Sequence, residues 1–124
     1  MRQREITEGF LREVDKNIHE LINGNTEKMV EINDVADMLH IHPRHLTNTV
    51  KLVTGKSPCT LFEDKILITA KKMIIENKMA IASIATLLTY DPSNFTKFFK
   101  RFTGKTPKQF REEFLNKKTE HFTI

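Results

Sequence analysis

Three groups of side chains in this sequence are of types that do chemistry. His40, His42 and His45 crowd into six positions, a density that a metal ion could use. Cys59 is a lone thiol directly after Pro58, at a predicted helix start where the dipole can lower a thiol's pKa. The third group is polar and basic and occurs twice. It comprises Arg44, His45, Thr47, Asn48 and Lys51, then Ser93, Asn94, Thr96, Lys97, Lys100 and Arg101. These are the side-chain types that reach phosphates and base edges in a major groove. The histidines flank a turn, and a surface or phosphate-contacting role suits them better than a metal site, His45 above all. No base or resolving thiol pairs with Cys59, which reads as passive. The sequence has no glycine-rich phosphate loop, no nucleophile elbow and no zinc-ligand spacing. The expectation is therefore no enzyme, no metal and no cofactor.

The elements that must position the third group come from an internal repeat. "TGKSP" at 54–58 returns as "TGKTP" at 103–107, an offset of 49. One ungapped alignment at that offset pairs Ile32 with Ile81, Ala36 with Ala85, Leu39 with Leu88, Pro43 with Pro92, Thr47 with Thr96 and Lys51 with Lys100. It also pairs apolar residues of different size: Val35 with Ile84, Leu46 with Phe95, Val50 with Phe99, Val53 with Phe102. Two copies are too few for a solenoid. Each proline follows a residue that caps or tolerates a helix start (His42, Ser57, Asp91, Thr106), and proline suits the first helical position. His42 is the poorest cap of the four. Gly55 and Gly104 end helices, since glycine takes the left-handed conformation cheaply.

These signals predict an all-α fold of seven helices over 1–124, read as one domain. A leading helix covers about 7–23, on the stripe Phe10, Val14, Ile18 and Leu21. The first helix-turn-helix spans about 32–54 and the second about 81–103, with second helices 43–54 and 92–103. A long joining helix covers about 58–77 and a closing helix about 107–118. The buried faces are read as Leu46, Val50 and Val53 in the first case, and Phe95, Phe99 and Phe102, supported by Phe98, in the second. The opposite faces carry the polar and basic groups named above. The joining helix would span about 30 Å at about 1.5 Å per residue. Successive major grooves on one side of B-DNA are about 34 Å apart. Two reading helices held at that spacing would let one chain do what a helix-turn-helix dimer usually does. Its apolar residues, among them Phe62, Ile66, Ala70, Met73 and Ile74, suggest packing against both repeats.

The bulk numbers agree with this reading. The chain has 124 residues, 39% of them hydrophobic, and a formal charge of +4. Charge is unevenly spread. Residues 1–31 hold five basic against seven acidic side chains, a net of −2; residues 91–118 hold eight against three, a net of +5. A basic end suits a polyanionic partner. No apolar run is long enough for a membrane span, and the charged start lacks the apolar stretch of a signal peptide. A single cysteine fits a reducing compartment.

The segments "IASIATLL" and "DPSNFTKFFKRFTGKTPKQFRE", with "DVADMLHIHPRHL", "TGKSP" and "AKKMI" before them, resemble the DNA-binding domain of AraC/XylS-type transcription regulators over about residues 10–118. The resemblance implies a bacterial, cytoplasmic, sequence-specific regulator that places helices 43–54 and 92–103 in successive major grooves of double-stranded DNA. Carried over by position, it puts Arg44, Thr47, Asn48, Ser93, Asn94 and Lys97 toward bases. Lys51 goes toward bases or phosphate, and Thr96, Lys100 and Arg101 near the backbone; with His45, read above as a phosphate contact, these make the expected backbone set. RNA polymerase is a further expected partner. So is a sensor domain, for which these 124 residues leave no room. The alternative is a helical protein-interaction module that keeps the fold without specific DNA binding. The family's second turn usually reads Gly-Phe with six residues to the buried aromatic; here it reads Thr89-Tyr90 with five to Phe95. Threonine is strained in a left-handed conformation, so a changed angle of the second helix is expected. Ile66 also stands where the family often has arginine.

Overall fold

Proline and glycine punctuate this chain as the sequence predicts. In the computed structural model, which describes residues 2–122, the order is α1 Gln3–Ile22, α2 Ile32–Met38, α3 Pro43–Thr54, α4 Pro58–Glu76, α5 Ile81–Leu87, α6 Pro92–Thr103 and α7 Pro107–Phe122. The described residues contain no strand. α3, α4, α6 and α7 each begin on a proline. Gly55 and Gly104 close α3 and α6 at φ 76° and 80°. α1 starts four residues earlier than expected, because Ile6 and Thr7 are buried and extend its stripe. α7 runs past 118, to Phe122.

Packing gathers the chain into two compact units, Met1–Ile66 and Leu67–Ile124. In the first, α1 and α2 pack on α3. Phe10, Val14, Leu21, Val35, Leu46, Val50 and Ile66 form its buried centre. Burying each such side chain contributes about 1.5–3 kcal/mol. The backbone of Gly9 lies so close to Leu39 that an added Cβ would meet Cδ2 at 3.0 Å. In the second unit, α6 packs on α5 and α7. Ala70, Ile74, Ile84, Leu88, Phe95, Phe98 and Phe99 are buried there. The Phe99 ring meets Phe110 of α7 edge-on at 5.3 Å. α4 thus supplies Ile66 to one core and Ala70 and Ile74 to the other; Phe62 and Met73 are only half-buried.

One expectation needs correction. Val53 and Phe102, read as parts of the buried stripes, are 45% and 47% exposed. They lie in the last turn of their helices, where the partner helices no longer cover them; Thr49 joins the inner face of α3, and Phe98 fills that of α6 as expected. The second turn takes the strained conformation. Thr89 does adopt the left-handed conformation, φ 69°, and His40 does so at the matching position, φ 58°. Both turns close with the same pair of hydrogen bonds. The His40 and Ile41 amides donate to Asp37 and Ala36 carbonyls (3.1 and 3.0 Å), and those of Thr89 and Tyr90 to Thr86 and Ala85 (3.0 and 2.8 Å). Each is a Schellman closure without its usual glycine. Thr89 therefore absorbs strain of about 1–2 kcal/mol, and the absent glycine does not change how the turn is bonded.

Candidate nucleic-acid interface

α3 and α6 are built alike from their first residue. Pro43 and Pro92 occupy the first helical position, and the residue before each caps it. His42 accepts the Arg44 amide at its ring Nδ1, 3.1 Å, a better cap than its residue type promised. The Asp91 carboxylate accepts two amides, Ser93 at 3.1 Å and Asn94 at 3.4 Å. At the far ends, Gly55 and Gly104 amides donate to Lys51 and Lys100 carbonyls, both at 2.8 Å. The exit from each helix is then copied atom for atom. Thr54 Oγ1 lies 2.7 Å from the Val50 carbonyl and 3.0 Å from that of Lys56, and accepts the Lys56 amide. Thr103 Oγ1 does the same with Phe99 and Lys105. The duplicated Thr-Gly-Lys motif is thus a hydroxyl-locked helix stop.

Between cap and stop, each helix presents its predicted polar face to solvent. Arg44, His45, Asn48 and Lys51 are exposed on α3, as are Ser93, Asn94, Lys97, Lys100 and Arg101 on α6. Thr47 and Thr96 are half-buried at the edge of these faces. The Thr96 hydroxyl donates to the Pro92 carbonyl at 3.1 Å, so its proton is occupied within the helix. Within each unit the named residues therefore share one exposed helix face of mixed donors, acceptors and positive charge.

A family description of a helix-turn-helix domain matches residues 35–113, which contain both of these helices. The chain belongs to the AraC-type helix-turn-helix family of DNA-binding regulators. Among its relatives, it is 29% identical over 98 residues to the HTH-type transcriptional regulator YobQ of Bacillus subtilis, covering 78% of this chain and 41% of YobQ. It is 30% identical over 96 residues to the bifunctional transcriptional activator/DNA repair enzyme AdaA of the same organism, covering 77% of this chain and 46% of AdaA. The chain thus spans less than half the length of either relative. Its fold is similar to that of the DNA-binding domain of AdpA, a global transcriptional factor crystallised with a target DNA. The TM-score is 0.68 at 13% identity, with 82% of this chain and 95% of that one covered.

On this AraC-type scaffold, several polar and charged side chains serve the fold. Arg111, counted from sequence among the basic surface of the C-terminal end, is a clamp. Its Nε donates to the Ile74 carbonyl at 2.9 Å and a terminal nitrogen to that of Met79 at 2.8 Å. It ties α7 to the end of α4 and the segment before α5. Asn17, buried on α1, does the matching work in the first unit. Its side chain donates to the Lys28 carbonyl at 2.9 Å and accepts the Val30 amide at 2.8 Å. Lys56 pairs with Asp64 at 2.9 Å, and Lys105 pairs with Glu113. The Lys105 hydrogen bond holds the Glu113 carboxyl below its usual range. Asp64 and Glu113 are themselves 49 apart, so the repeat runs past the second prolines. Two acidic residues at the repeat offset were the available signal; nothing local in the sequence marked Asn17 or Arg111.

The remaining reactive side chains are dispersed. His40 occupies the left-handed turn position, His42 caps α3, and His45 lies on the exposed face. Among the described residues, no group of three or more His, Cys, Asp or Glu is arranged to hold a metal ion. Cys59 does not have the lowered pKa that a helix start can confer. Partial burial pushes its thiol up, and Glu63, whose Oε1 lies 3.6 Å from Sγ, pushes it further. No helix among the described residues is long and apolar enough to cross a membrane.

Proposed function

We propose that this chain is a sequence-specific DNA-binding transcription regulator, or the DNA-binding part of one. In this reading α3 and α6 are its recognition helices and enter successive major grooves. The observation that carries it is the duplication of a capped, proline-started helix with an exposed polar and basic face in a family of DNA-binding regulators. Arg44, Thr47, Asn48, Ser93, Asn94 and Lys97 would read bases. His45, Lys51, Thr96, Lys100 and Arg101 would hold phosphates, Thr96 through a bridging water that donates to both, since its own proton goes to the Pro92 carbonyl. The AdpA domain, solved with a target DNA, lends its fold to this reading, and the regulator relatives lend the biological setting.

The reading assigns the chain no catalysis, metal or cofactor, a cytoplasmic site of action, and double-stranded DNA as its partner. We propose RNA polymerase and a sensor domain as the further partners. Selection from a random duplex library tests the proposal. The expected result is an enriched motif with two half-sites about 10–10.5 bp apart centre to centre. Binding without any enriched motif would instead favour a helical interaction module.

A further inference from the structure

We infer that Phe102 is a positioning residue for phosphate contact. Its half-exposed ring is the shelf on which Arg101 is held, so the second recognition helix carries an ordered cation that the first lacks. This inference rests on the DNA-binding reading above. Phe102 belongs by spacing to the buried stripe of α6, yet 47% of it is exposed. A ring left half in water forgoes part of the stabilisation that burial gives it. The side facing inward is nonetheless fixed. It meets Phe98 edge-on at 5.2 Å, and Phe98 is buried and stacked on Tyr90 at 5.0 Å. The outer side carries the Arg101 guanidinium, whose Cζ lies 4.8 Å from the ring centroid. That is within cation–π range.

The guanidinium fork matches phosphate oxygens in two parallel hydrogen bonds. A guanidinium already ordered on a ring loses less rotamer freedom when it docks. Arg101 is exposed, in the last turn of α6 beside Lys100. At the same two positions of α3 stand Leu52, 70% exposed, and Val53, 45% exposed. They offer neither the charge nor the ring. The ring-held cation is thus a property of one reading helix only.

Anisotropy titration of a labelled random-sequence duplex at low salt tests this, because the phosphate term is independent of sequence. Phe102→Leu keeps an apolar side chain and removes the ring; affinity should fall about two- to fivefold, the range of an exposed cation–π pair. Phe102→Tyr keeps the ring face and should restore wild-type affinity. Arg101→Ala should flatten the slope of log K against log[salt] by about one unit. In that background Phe102→Leu should change nothing further. The inference is overturned if Phe102→Leu binds like wild type, if Phe102→Tyr fails to rescue, or if the leucine loss persists without Arg101. Failure of the wild-type chain to bind any duplex would overturn the DNA-binding reading itself, and this inference with it.

Discussion

The two helix-turn-helices share a backbone plan and differ most in the size of the side chains that fill the space around their second helices. Six positions are aromatic in the second and smaller in the first: Tyr90, Phe95, Phe98, Phe99, Phe102 and Phe110 against Ile41, Leu46, Thr49, Val50, Val53 and Leu61. The rings form a chain of contacts from Tyr90 through Phe98 to Phe102, and from Phe95 through Phe99 to Phe110. The first copy has no equivalent. What stayed the same is the hydrogen bonding: the Schellman closures, the cap at the residue before proline, the Thr-Gly-Lys stop and the lysine–carboxylate pair behind it. Cores tolerate extensive apolar exchange when volume and pattern are balanced. A buried backbone group left unpaired has no such freedom. The repeat therefore survives in its turns and drifts in its core.

The largest expected effects probe the two cores. Leu46 and Phe95 are both fully buried at the same position. Phe95→Ala should cost about 3–5 kcal/mol of unfolding free energy, and Leu46→Ala about 2–5 kcal/mol. Urea unfolding should show the lower midpoint for Phe95→Ala, because the ring leaves the larger cavity among aromatic neighbours. A lower midpoint for Leu46→Ala would place the more critical core in the first unit.

Next in size is recognition. Arg44 stands in the first turn of α3, its amide held by His42 and its side chain exposed; the matching residue of α6 is Ser93. An arginine there can reach a guanine edge with two hydrogen bonds, worth about 1–3 kcal/mol against the wrong base. Arg44→Ala should weaken specific binding about ten- to hundredfold at that energy and relax one or two positions of one half-site, leaving folding almost untouched. Ser93→Ala should do less, since a hydroxyl is less selective. Site selection with both variants distinguishes them. An unchanged motif with lower overall affinity for Arg44→Ala would reassign it to phosphate.

Much of this organisation was legible in the sequence because it lies in local signals. Proline, its capping neighbour and glycine set the helix bounds, and helical spacing placed the eleven polar residues on exposed or half-exposed faces. Two kinds of feature were not legible. Val53 and Phe102 satisfy the helical period, but a period does not say where the partner helix ends. Arg111 and Asn17 work on carbonyls and amides many residues away, and composition counted Arg111 simply as charge. Thr89 is a different case. Propensity argued against a left-handed threonine, and the two closing hydrogen bonds outweighed it.

That balance can be measured, and it ranks third. Glycine adopts the left-handed region without the Cβ clash that costs other residues about 1–2 kcal/mol, although it gains freedom in the unfolded chain. Thr89→Gly should therefore raise stability by about 1 kcal/mol, net of that loss. His40→Gly should raise it less, because histidine is enriched in this region and β-branched threonine is an outlier there. Thermal melts of the two variants give the comparison directly. Equal gains would mean that branching at Cβ contributes nothing to the strain.

The smallest effect belongs to the lysine–carboxylate pairs. Both pairs are exposed, which keeps their contribution to stability modest and sensitive to salt. The Glu113 carboxyl is held below the usual range, first through its hydrogen bond from Lys105. A carboxyl depressed in the folded chain contributes stability that is fully present above its unfolded pKa, about 4.3 for glutamate. That contribution is lost as pH falls through the lower folded value. Glu113→Gln should therefore melt slightly below wild type at neutral pH, with the gap closing as the solution is acidified past that range. Raising the ionic strength at neutral pH should narrow the gap as well, since exposed charges are screened. A gap that is independent of both pH and salt would mean that the Glu113 side chain acts through packing on α7 rather than through its charge.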